Sequence, residues 1–361
     1  MKYYLIAGEA SGDMHAANLM KELRFSDKEA QFQGFGGDKM QAQGLQLVKH
    51  YKEMAFMGFL EVISNLNTIR KNLALAKTDI QSFQPDVLIL IDYPGFNMRI
   101  AKFAKNLGIK VVYYITPQVW AWRQRRIKQL KRYTDLLLPI LPFEKQFFAK
   151  HGVESRFVGH PLLDELTINS GKSVETEKPI IALLPGSRKQ EIKKMLPLMM
   201  ELADHFIDYQ FIIAGAPSIP SSFYRSITGD SYLPISTDKT YEVLKGAKAA
   251  VIASGTATLE AAILQVPQVV CYRTSGFSYW IGKQVIKVPF ISLVNLILNK
   301  EVVAELVQAD FNKERLIQEI DKLLNKKHRT VLLQEYKNLI EKLGTKGASQ
   351  RAAQAVLNLL K

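Results

Sequence analysis

Residues 180–192, with the sequence IIALLPGSRKQEI, constrain the fold of this chain more than any other segment. The apolar residues 180–184 have the length and composition of a buried strand, and a Pro-Gly-Ser-Arg turn separates them from a charged, helix-like segment. Such a turn presents free backbone N–H groups and the positive end of a helix dipole, which suit a phosphate. Arg188 adds a two-pronged, permanently charged donor. The segment is therefore a candidate phosphate site, although an ordinary turn with a solvated arginine has the same pattern.

The same strand, turn and helix pattern recurs along the chain and predicts an α/β fold with parallel sheets. None of the turns has the G-x-G-x-x-G spacing, so a dinucleotide fingerprint is not supported. The three further turns are GEASGD (8–13), DYPGFN (92–97) and SGTATLE (254–260), which follow the predicted strands 3–7, 87–91 and 249–253. Other predicted strands are 111–115, 136–141, 211–214 and 269–272.

The length of 361 residues predicts two domains, because it exceeds one typical hydrophobic core. The polar segment 167–178 has few large apolar residues and is the predicted linker. The single cysteine, Cys271, excludes an intrachain disulfide and fits a reducing cytoplasm. The apolar run after Lys2 ends at Gly8, so no signal peptide is expected. No apolar stretch reaches the roughly 20 residues that span a bilayer.

The formal net charge of +14 indicates a polyanionic partner, such as nucleic acid, an anionic membrane or a phosphorylated substrate. Residues 123–132 contain six basic residues and no acidic one, directly after Trp120 and Trp122. Aromatic residues beside a basic helix are found both in nucleic-acid sites and in membrane-surface patches. The locality of the basic run and the otherwise unexplained glycine turns argue against nucleic acid.

Two further segments are rich in large apolar residues. Residues 54–80 have apolar residues at helical spacing, which predicts a core helix, or a helix whose front end at 54–60 lines a pocket for a flexible apolar ligand. Residues 277–290 mix aromatic residues with Lys283 and Lys287, as a core helix or a second membrane-facing patch does.

Two carboxylates follow the predicted strands at positions where ligands of parallel sheets bind. Asp92 directly follows strand 87–91 and is either a general base or only a cap for the next helix. Glu260 lies about one turn into its helix, where it either accepts hydrogen bonds from a ribose diol or only complements the helix dipole. The sequence has no Asp-x-Asp motif and no His/Asp cluster, so no metal site and no cofactor are predicted.

Seven short motifs follow one another along nearly the whole chain. They are AGEASGDMHAA (7–17), IDYPGFN (91–97), PQVWAWR (117–123), FVGHPL (157–162), LLPGSR (183–188), ASGTATLE (253–260) and SLVNLI (292–297). In this order and at this spacing they closely resemble the lipid-A-disaccharide synthase family, glycosyltransferase family 19. Two positions depart from the family's commoner pattern: Gly95 stands where an acidic residue usually follows the proline, and Thr116 replaces a serine.

The resemblance implies an α/β fold of the GT-B class, with two Rossmann-like domains that face a central cleft. Residues 1–166 form the implied acceptor-binding domain and residues 167–344 the UDP-sugar-binding domain. The C-terminal helix, within 345–361, crosses back to the N-terminal domain. The implied reaction belongs to lipid A biosynthesis in Gram-negative bacteria, where UDP-2,3-diacylglucosamine and 2,3-diacylglucosamine 1-phosphate (lipid X) give the β-1,6-linked disaccharide 1-phosphate and UDP. The expected course is an inverting, metal-independent single displacement.

Site residues follow from these motifs. Asp92 matches the family's essential aspartate and is the predicted general base for the acceptor 6-hydroxyl. His15 is a second predicted catalytic contact, or else a structural histidine. The predicted UDP-sugar contacts are Gly186, Ser187, Arg188, Ser254, Gly255, Thr256, Glu260, Asn295 and Gln308. The predicted acceptor contacts are Ser11, Asn97, Met57 and Trp122.

Alternatives of the same architecture are a UDP-sugar 2-epimerase and a GT-B transferase with a soluble acceptor. A basic protein that binds nucleic acid without catalysis is the alternative from another class. Because both implied substrates carry acyl chains, the protein is expected to bind peripherally to the cytoplasmic face of the inner membrane. Residues 123–132 would contact anionic lipid, while Trp120, Trp122 and residues 54–60 would enter the interface.

Overall fold

The computed structural model of the chain describes residues 1–54, 66–168, 171–229, 231, 233–276, 279, 284 and 288–361. Within these ranges the strands form two parallel six-stranded sheets. The chain divides accordingly into unit 1, which comprises Met1–Asp164 and Leu343–Lys361, and unit 2, which comprises Glu165–Lys342.

The sheet of unit 1 contains β1 (Lys2–Ala7), β2 (Gln31–Gly36), β3 (Leu45–His50), β4 (Val87–Ile91), β5 (Lys110–Tyr114) and β6 (Leu136–Leu138). Their order is β3-β2-β1-β4-β5-β6, and every neighbouring pair is parallel. Every residue of β4 is buried, as expected of a strand whose sheet is covered on both faces. β6 ends three residues before the predicted position 141, because Pro139 has no N–H for the ladder.

Helices of unit 1 cover both faces of this sheet. They are α1 (Ala10–Ser26), α2 (Asp38–Ala42), α3 (Leu66–Phe83), α4 (Pro94–Asn106), α5 (Ile127–Tyr133) and α6 (Pro142–Lys150), and α7 (Leu162–Ile168) follows where the chain leaves the unit. Short 3-10 helices occupy Tyr51–Glu53 and Gln124–Arg126. The predicted helix 54–80 is wrong at its first residue, because Met54 is fully buried in a turn and so does not face a membrane. Residues 55–65 lie outside the described residues, and the described helix begins at Leu66.

The sheet of unit 2 repeats the pattern with β7 (Ile180–Leu184), β8 (Gln210–Ala214), β9 (Ile235–Ser236), β10 (Ala247–Ala253), β11 (Gln268–Tyr272) and β12 (Glu305–Val307). Their order is β12-β11-β10-β7-β8-β9, again parallel throughout. The accompanying helices are α8 (Lys189–Met200), α9 (Ser221–Thr228), α10 (Thr240–Gly246), α11 (Thr256–Ile263), α12 (Leu293–Leu298), α13 (Lys313–Leu324) and α14 (Lys326–Leu343).

The last helix, α15 (Ala348–Leu360), returns to unit 1 and packs against α1 through small buried residues such as Ala352 and Ala353. The Asp164 carboxylate accepts hydrogen bonds from the N–H groups of Gly347 and Ser349, at 2.6 and 3.0 Å. These bonds fix the start of α15 at the point where the chain first leaves unit 1. Among the described helices, none combines the length and apolar composition needed to cross a membrane.

The strand orders locate the ligand-binding edge of each sheet. In unit 1 the chain order reverses between β1 and β4, and in unit 2 between β7 and β10. Parallel α/β sheets bind ligands beyond the carboxyl ends of their strands at such a reversal. A ligand site is therefore expected at the turns that follow β1, β4, β7 and β10.

Candidate active site

The turns after β1 and β4 pack directly against each other in unit 1. A Cβ atom on Gly8 would lie 2.3 Å from the ring of Tyr93, so only glycine allows this close approach. The Tyr93 hydroxyl donates to the carbonyl of Met54 at 2.8 Å and holds its ring in place. The first glycine turn therefore contacts the residue after Asp92 so closely that position 8 has no room for a side chain.

Asp92 occupies a constrained backbone position at the end of β4. Asp92 and Tyr93 both have left-handed backbone angles, with φ of 43° and 46°, and two successive non-glycine residues in this region store strain of the kind found at functional sites. The Asp92 carbonyl accepts hydrogen bonds from the Tyr113 hydroxyl at 2.6 Å and from Nδ2 of Asn97 at 2.8 Å. Two side-chain donors therefore hold the turn that carries the Asp92 carboxylate.

The surroundings of Asp92 favour its neutral form. Burial raises the pKa of this carboxyl to about 7, the negative charges of Glu9 and Glu144 add to the shift, and the Tyr93 N–H opposes it. A carboxyl with a pKa near neutrality is suited to remove a proton from a substrate, because it is basic and still partly ionised at pH 7.

The buried side chain of Asn97 supports the backbone of this turn. This side chain is fully buried and also donates to the Ile91 carbonyl at 3.2 Å. The structure thus places this predicted acceptor contact beneath Asp92, where it supports the backbone. Ser11, another predicted acceptor contact, lies in the first turn of α1 and donates at 2.8 Å to the Glu9 carboxylate, whose charge acts on Asp92.

Glu144 is a buried carboxylate that sequence reasoning missed. Its oxygens accept hydrogen bonds from Thr116 Oγ1 and Trp120 Nε1, both at 3.1 Å, and from the N–H groups of Ile140 and Leu141. Burial raises its pKa to about 7. The available signal was the capping box at the start of α6, where a glutamate follows the Pro142 turn. This environment also corrects the expectation for Trp120, which is only 8% exposed and therefore does not reach a membrane.

His15, the second predicted catalytic residue, is buried within α1. Burial lowers its pKa to about 4, with a further contribution from the positive charge of Lys39 and an opposing one from Asp164. The imidazole is therefore neutral at physiological pH. Its Nδ1 atom has no hydrogen-bond partner among the described residues.

Trp122 lies on the surface and is flanked by arginines. Its side chain is 38% exposed, and the guanidinium carbons of Arg123 and Arg126 lie 4.4 and 5.8 Å from ring centroids of its indole. Met57, the remaining predicted acceptor contact, lies outside the described residues, as do the rest of 55–65 and most of the second predicted membrane patch at 277–287.

The Pro-Gly-Ser-Arg turn of unit 2 connects β7 to α8. Gly186 has a φ of 114°, which other residues rarely adopt, and a Cβ there would lie 2.8 Å from the Glu191 carboxylate. Ser187 and Arg188 are exposed, and Arg188 pairs with Glu191 at 3.0 Å. The Arg188 side chain therefore lies at the surface of this turn, next to the exposed Ser187.

The turn after β10 lies beside the first one. The Cβ position at Gly186 is 3.5 Å from the Cβ of Ala253, the last residue of β10. Ser254 donates to the Ile291 carbonyl at 2.9 Å, whereas Gly255 and Thr256 are exposed at the start of α11. The structure therefore brings together the two glycine turns of unit 2 that the sequence singles out.

Glu260 lies on α11 and receives a weak hydrogen bond of 3.4 Å from the Tyr241 hydroxyl. Burial raises its pKa to about 7, with a further increase from the charge of Glu165 and an opposing effect of the Tyr241 bond. Among the described residues, the long hydrogen bond from Tyr241 is the contact that opposes the cost of burying this carboxylate. Donors such as ribose hydroxyls would stabilise its charged form.

Asn295 and Gln308 both bind backbone groups of their own unit. The Asn295 amide is fully buried, donates to the Val303 carbonyl and the Glu305 carboxylate, and accepts from the N–H groups of Val302 and Val303. Gln308 Oε1 accepts from the Thr274 N–H at 2.8 Å. Asn295 therefore supports a turn rather than presenting its amide to a ligand. Among the described residues, no group of three or more His, Cys, Asp or Glu side chains could hold a metal ion.

Comparison with known proteins adds an independent line of evidence. The family model described as lipid-A-disaccharide synthetase matches residues 3–359. A lipid-A-disaccharide synthase of Geobacter metallireducens is 39% identical over 370 residues, which cover 99% of this chain and 96% of the relative. The Coxiella burnetii (strain RSA 331 / Henzerling II) lipid-A-disaccharide synthase is 37% identical over 368 residues, with 99% and 98% covered.

Solved structures confirm the predicted GT-B fold class. The glycotransferase of kitacinnamycin superposes with a TM-score of 0.71 at 13% identity and covers 100% of this chain and 99% of its own. CalG4, the calicheamicin glycosyltransferase, gives 0.64 at 16% identity, with 99% and 98% covered. UDP-GlcNAc 2-epimerase from Neisseria meningitidis gives 0.68 at 12% identity, with 99% and 100% covered. At these identities the similarity concerns the fold alone.

Proposed function

The chain belongs to the lipid-A-disaccharide synthetase family and is a glycosyltransferase, and we propose that it joins two acylated glucosamines. The donor is UDP-2,3-diacylglucosamine and the acceptor is 2,3-diacylglucosamine 1-phosphate, lipid X. The 6-hydroxyl oxygen of the acceptor forms a bond to the anomeric carbon of the donor, whose bond to UDP breaks with its electron pair leaving on the phosphate. The products are the β-1,6-linked disaccharide 1-phosphate and UDP, with inversion at the anomeric carbon.

The observation that carries this proposal is the environment of Asp92. An alcohol is a weak nucleophile at neutral pH, so a base must take its proton as the new bond forms. The Asp92 carboxyl has its pKa raised to about 7, and its backbone is held by Tyr113 and Asn97. We assign it as the general base for the acceptor hydroxyl. We assign neutral His15, buried in the helix that follows the first glycine turn, as the second residue that acts at the acceptor.

The donor is bound by the two adjacent turns of unit 2. Negative charge grows on the diphosphate as the bond to the sugar breaks, and preorganised donors stabilise that charge. Arg188 and the N–H groups at Gly186 and Ser187 serve this purpose, together with the Ser254–Thr256 turn. The Glu260 carboxylate accepts hydrogen bonds from the ribose hydroxyls. Asn295 and Gln308 act on the donor side indirectly, through the backbone that they hold.

We further propose that the protein docks on the cytoplasmic face of the inner membrane, where acylated substrates remain. The basic residues that face outward from α5 and its preceding turn support this, while Ile127 and Leu130 anchor the same segment in the core. Near an anionic surface each Lys or Arg contributes about 1 kcal/mol. Trp122 is the exposed aromatic residue of this surface. Besides Arg123, which lies over the Trp122 indole, the exposed basic residues of the run are Arg125, Lys128, Lys131 and Arg132.

Incubation of the protein with both acylated substrates tests the proposed reaction. Equal amounts of released UDP and a lipid product with the mass of the disaccharide 1-phosphate are expected. In a first control the protein is incubated with UDP-N-acetylglucosamine alone, and conversion of this compound to its 2-epimer would identify an epimerase. In a second control a soluble glucosamine replaces lipid X, and faster turnover with it than with lipid X would contradict the proposed acceptor.

A further inference from the structure

Two arginines lie over the indole of Trp122, and the charge of a third, Arg99, acts on one of them. Arg123 and Arg126 both lie over its indole, at 4.4 and 5.8 Å. Arg99, exposed in the second turn of α4, is close enough for its charge to act on Arg126. Burial lowers the pKa of Arg126, and the positive charges of Arg123 and Arg99 lower it further. Within the described ranges, no carboxylate forms an ion pair with any of these three arginines.

This cluster is energetically unfavourable without an anion. Like charges held in one site disfavour one another, and a half-buried guanidinium loses hydration as well. Arg123 also has a left-handed backbone with φ of 54°, a conformation that is uncommon for a side chain of this size. An anion bound among the three guanidinium groups would relieve the repulsion and accept hydrogen bonds from them.

The cluster borders the Asp92 turn. The positive charge of Arg126 acts on the Tyr113 hydroxyl, and that hydroxyl donates to the Asp92 carbonyl. Arg99 belongs to α4, which starts two residues after Asp92. The anion that fits these arginines is therefore part of a molecule that reaches the same edge of the sheet as the proposed base.

We propose that Arg99, Arg123 and Arg126 form a binding site for the phosphate monoester of the sugar acceptor, with Trp122 holding two of the guanidinium groups in place. This inference rests on the proposed function, since it assigns a subsite to the acceptor of that reaction. A phosphate monoester carries a charge of about −1.5 to −2 at pH 7, and planar guanidinium groups bind its oxygens in pairs. A lipid headgroup phosphate offers the same chemistry from a second source, and the test separates the two.

The proposal divides the basic run into two sets with different ligands. Arg123 and Arg126 hold the acceptor phosphate, whereas Arg125, Lys128, Lys131 and Arg132 contact the membrane. Substitutions in the two sets should have different effects in nonionic micelles, which contain no phospholipid. In micelles, changes to Arg123 or Arg126 should still weaken acceptor binding, whereas changes to the membrane-contacting set should leave turnover unchanged.

The test measures turnover in nonionic micelles with two acceptors, diacylglucosamine 1-phosphate and the same sugar without its phosphate. Arg126→Gln and Arg99→Gln remove one guanidinium each, and Lys102→Gln removes one exposed charge one turn further along α4 as the matched control. We expect both arginine variants to raise the KM for the phosphorylated acceptor by about 10- to 100-fold, the usual effect of losing a hydrogen bond to a charged group. The KM for the unphosphorylated acceptor and the Kd for UDP should stay at the wild-type values, and Lys102→Gln should match wild type throughout.

Each contrary outcome overturns the proposal. Unchanged KM values in micelles, with reduced binding to vesicles of phosphatidylcholine and phosphatidylglycerol, would identify a lipid headgroup site instead. An equal rise in KM for both acceptors would show that the arginines do not recognise the phosphate. Arg99 is exposed, so its variant remains informative if Arg126→Gln lowers the thermal stability. Failure of wild type to form any disaccharide would contradict the proposed function itself, which separates that failure from failure of the phosphate site.

Discussion

The hydroxyl of Tyr113 donates a hydrogen bond of 2.6 Å to the backbone carbonyl of Asp92. Tyr113 is fully buried in β5 and Asp92 directly follows the neighbouring β4, so a side chain of one strand fixes the turn after the next. The left-handed backbone at Asp92 and Tyr93 is unfavourable by itself. The bond from Tyr113 is one of the interactions that compensate for it and keep the carboxylate in one position.

Tyr113→Phe should therefore lower kcat without weakening donor binding. The variant keeps the ring and loses only the hydroxyl, so we expect about a tenfold decrease in kcat and an unchanged Kd for UDP, because a misplaced base slows proton transfer. Tyr4→Phe, which removes a hydroxyl bonded to Asp79 at 2.7 Å in the same sheet, is the matched control for the lost hydrogen bond. Both variants should lose about 0.5–1.5 kcal/mol of stability. A normal kcat in Tyr113→Phe would show that the bond does not position the base.

Asp92→Asn should abolish most turnover and remove the pH dependence near neutrality. A general base acts only when deprotonated, so kcat/KM of the wild type should rise with pH through about 7, the pKa to which burial raises Asp92, and level off above it. The variant should be about 10² to 10⁴-fold slower and lack this rise. Because Glu260 titrates in the same range, UDP binding must be measured over the same pH values. If the slow variant still shows the acidic limb, another group supplies the base.

The positions of several strands were predictable, because a buried strand leaves a local pattern in the sequence. Strands β4 and β7 coincide with the predicted 87–91 and 180–184, since short uninterrupted apolar runs bounded by polar turns are typical of buried strands in a parallel sheet. The edge strand β3 was not predicted, because much of it is only half-buried and its residues alternate poorly.

The candidate site was predictable only in part, because burial depends on distant segments. The motifs predict roles for Asp92 and Arg188. They do not predict that Asn97 supports the turn after β4 or that Glu144 accepts a hydrogen bond from Trp120. The contact between Glu144 and Trp120 spans 24 residues, and the one between Asn97 and Asp92 depends on how the turn after β4 folds back over α4. A tryptophan beside a basic run looks the same in sequence whether it is buried, like Trp120, or exposed, like Trp122.

Arg188→Ala should weaken UDP binding itself. The arginine is assigned to charge that is present in the bound donor as well as in the transition state, so its loss affects affinity before it affects chemistry. We expect a Kd for UDP about 10- to 100-fold higher, measured by titration calorimetry. Stability should change little, since the Arg188 pair with Glu191 is exposed. Lys193→Ala, which removes an exposed charge from the same helix, should keep wild-type affinity. Equal affinities for UDP in the Arg188 and Lys193 variants would contradict the assignment.

Reversal of three outward charges should release the protein from anionic membranes. The variant Arg125→Glu, Lys128→Glu and Arg132→Glu leaves the proposed phosphate site intact and alters only exposed side chains. Each cation contributes about 1 kcal/mol near an anionic surface, so losing three weakens binding by about 100-fold, and the new negative charges add repulsion. Flotation with vesicles of phosphatidylcholine and phosphatidylglycerol at low salt measures this.

The control for that experiment is a second triple reversal with the same change in net charge. Lys326→Glu, Lys327→Glu and Lys337→Glu alter exposed residues of α14 in unit 2. If docking depends on where the charges lie, this variant floats with the vesicles like wild type, whereas the α5 variant stays in the soluble fraction. UDP affinity and the melting temperature should be unchanged in both. Equal loss of binding would show that only net charge matters, and flotation of the α5 variant would place the membrane contact elsewhere on the protein.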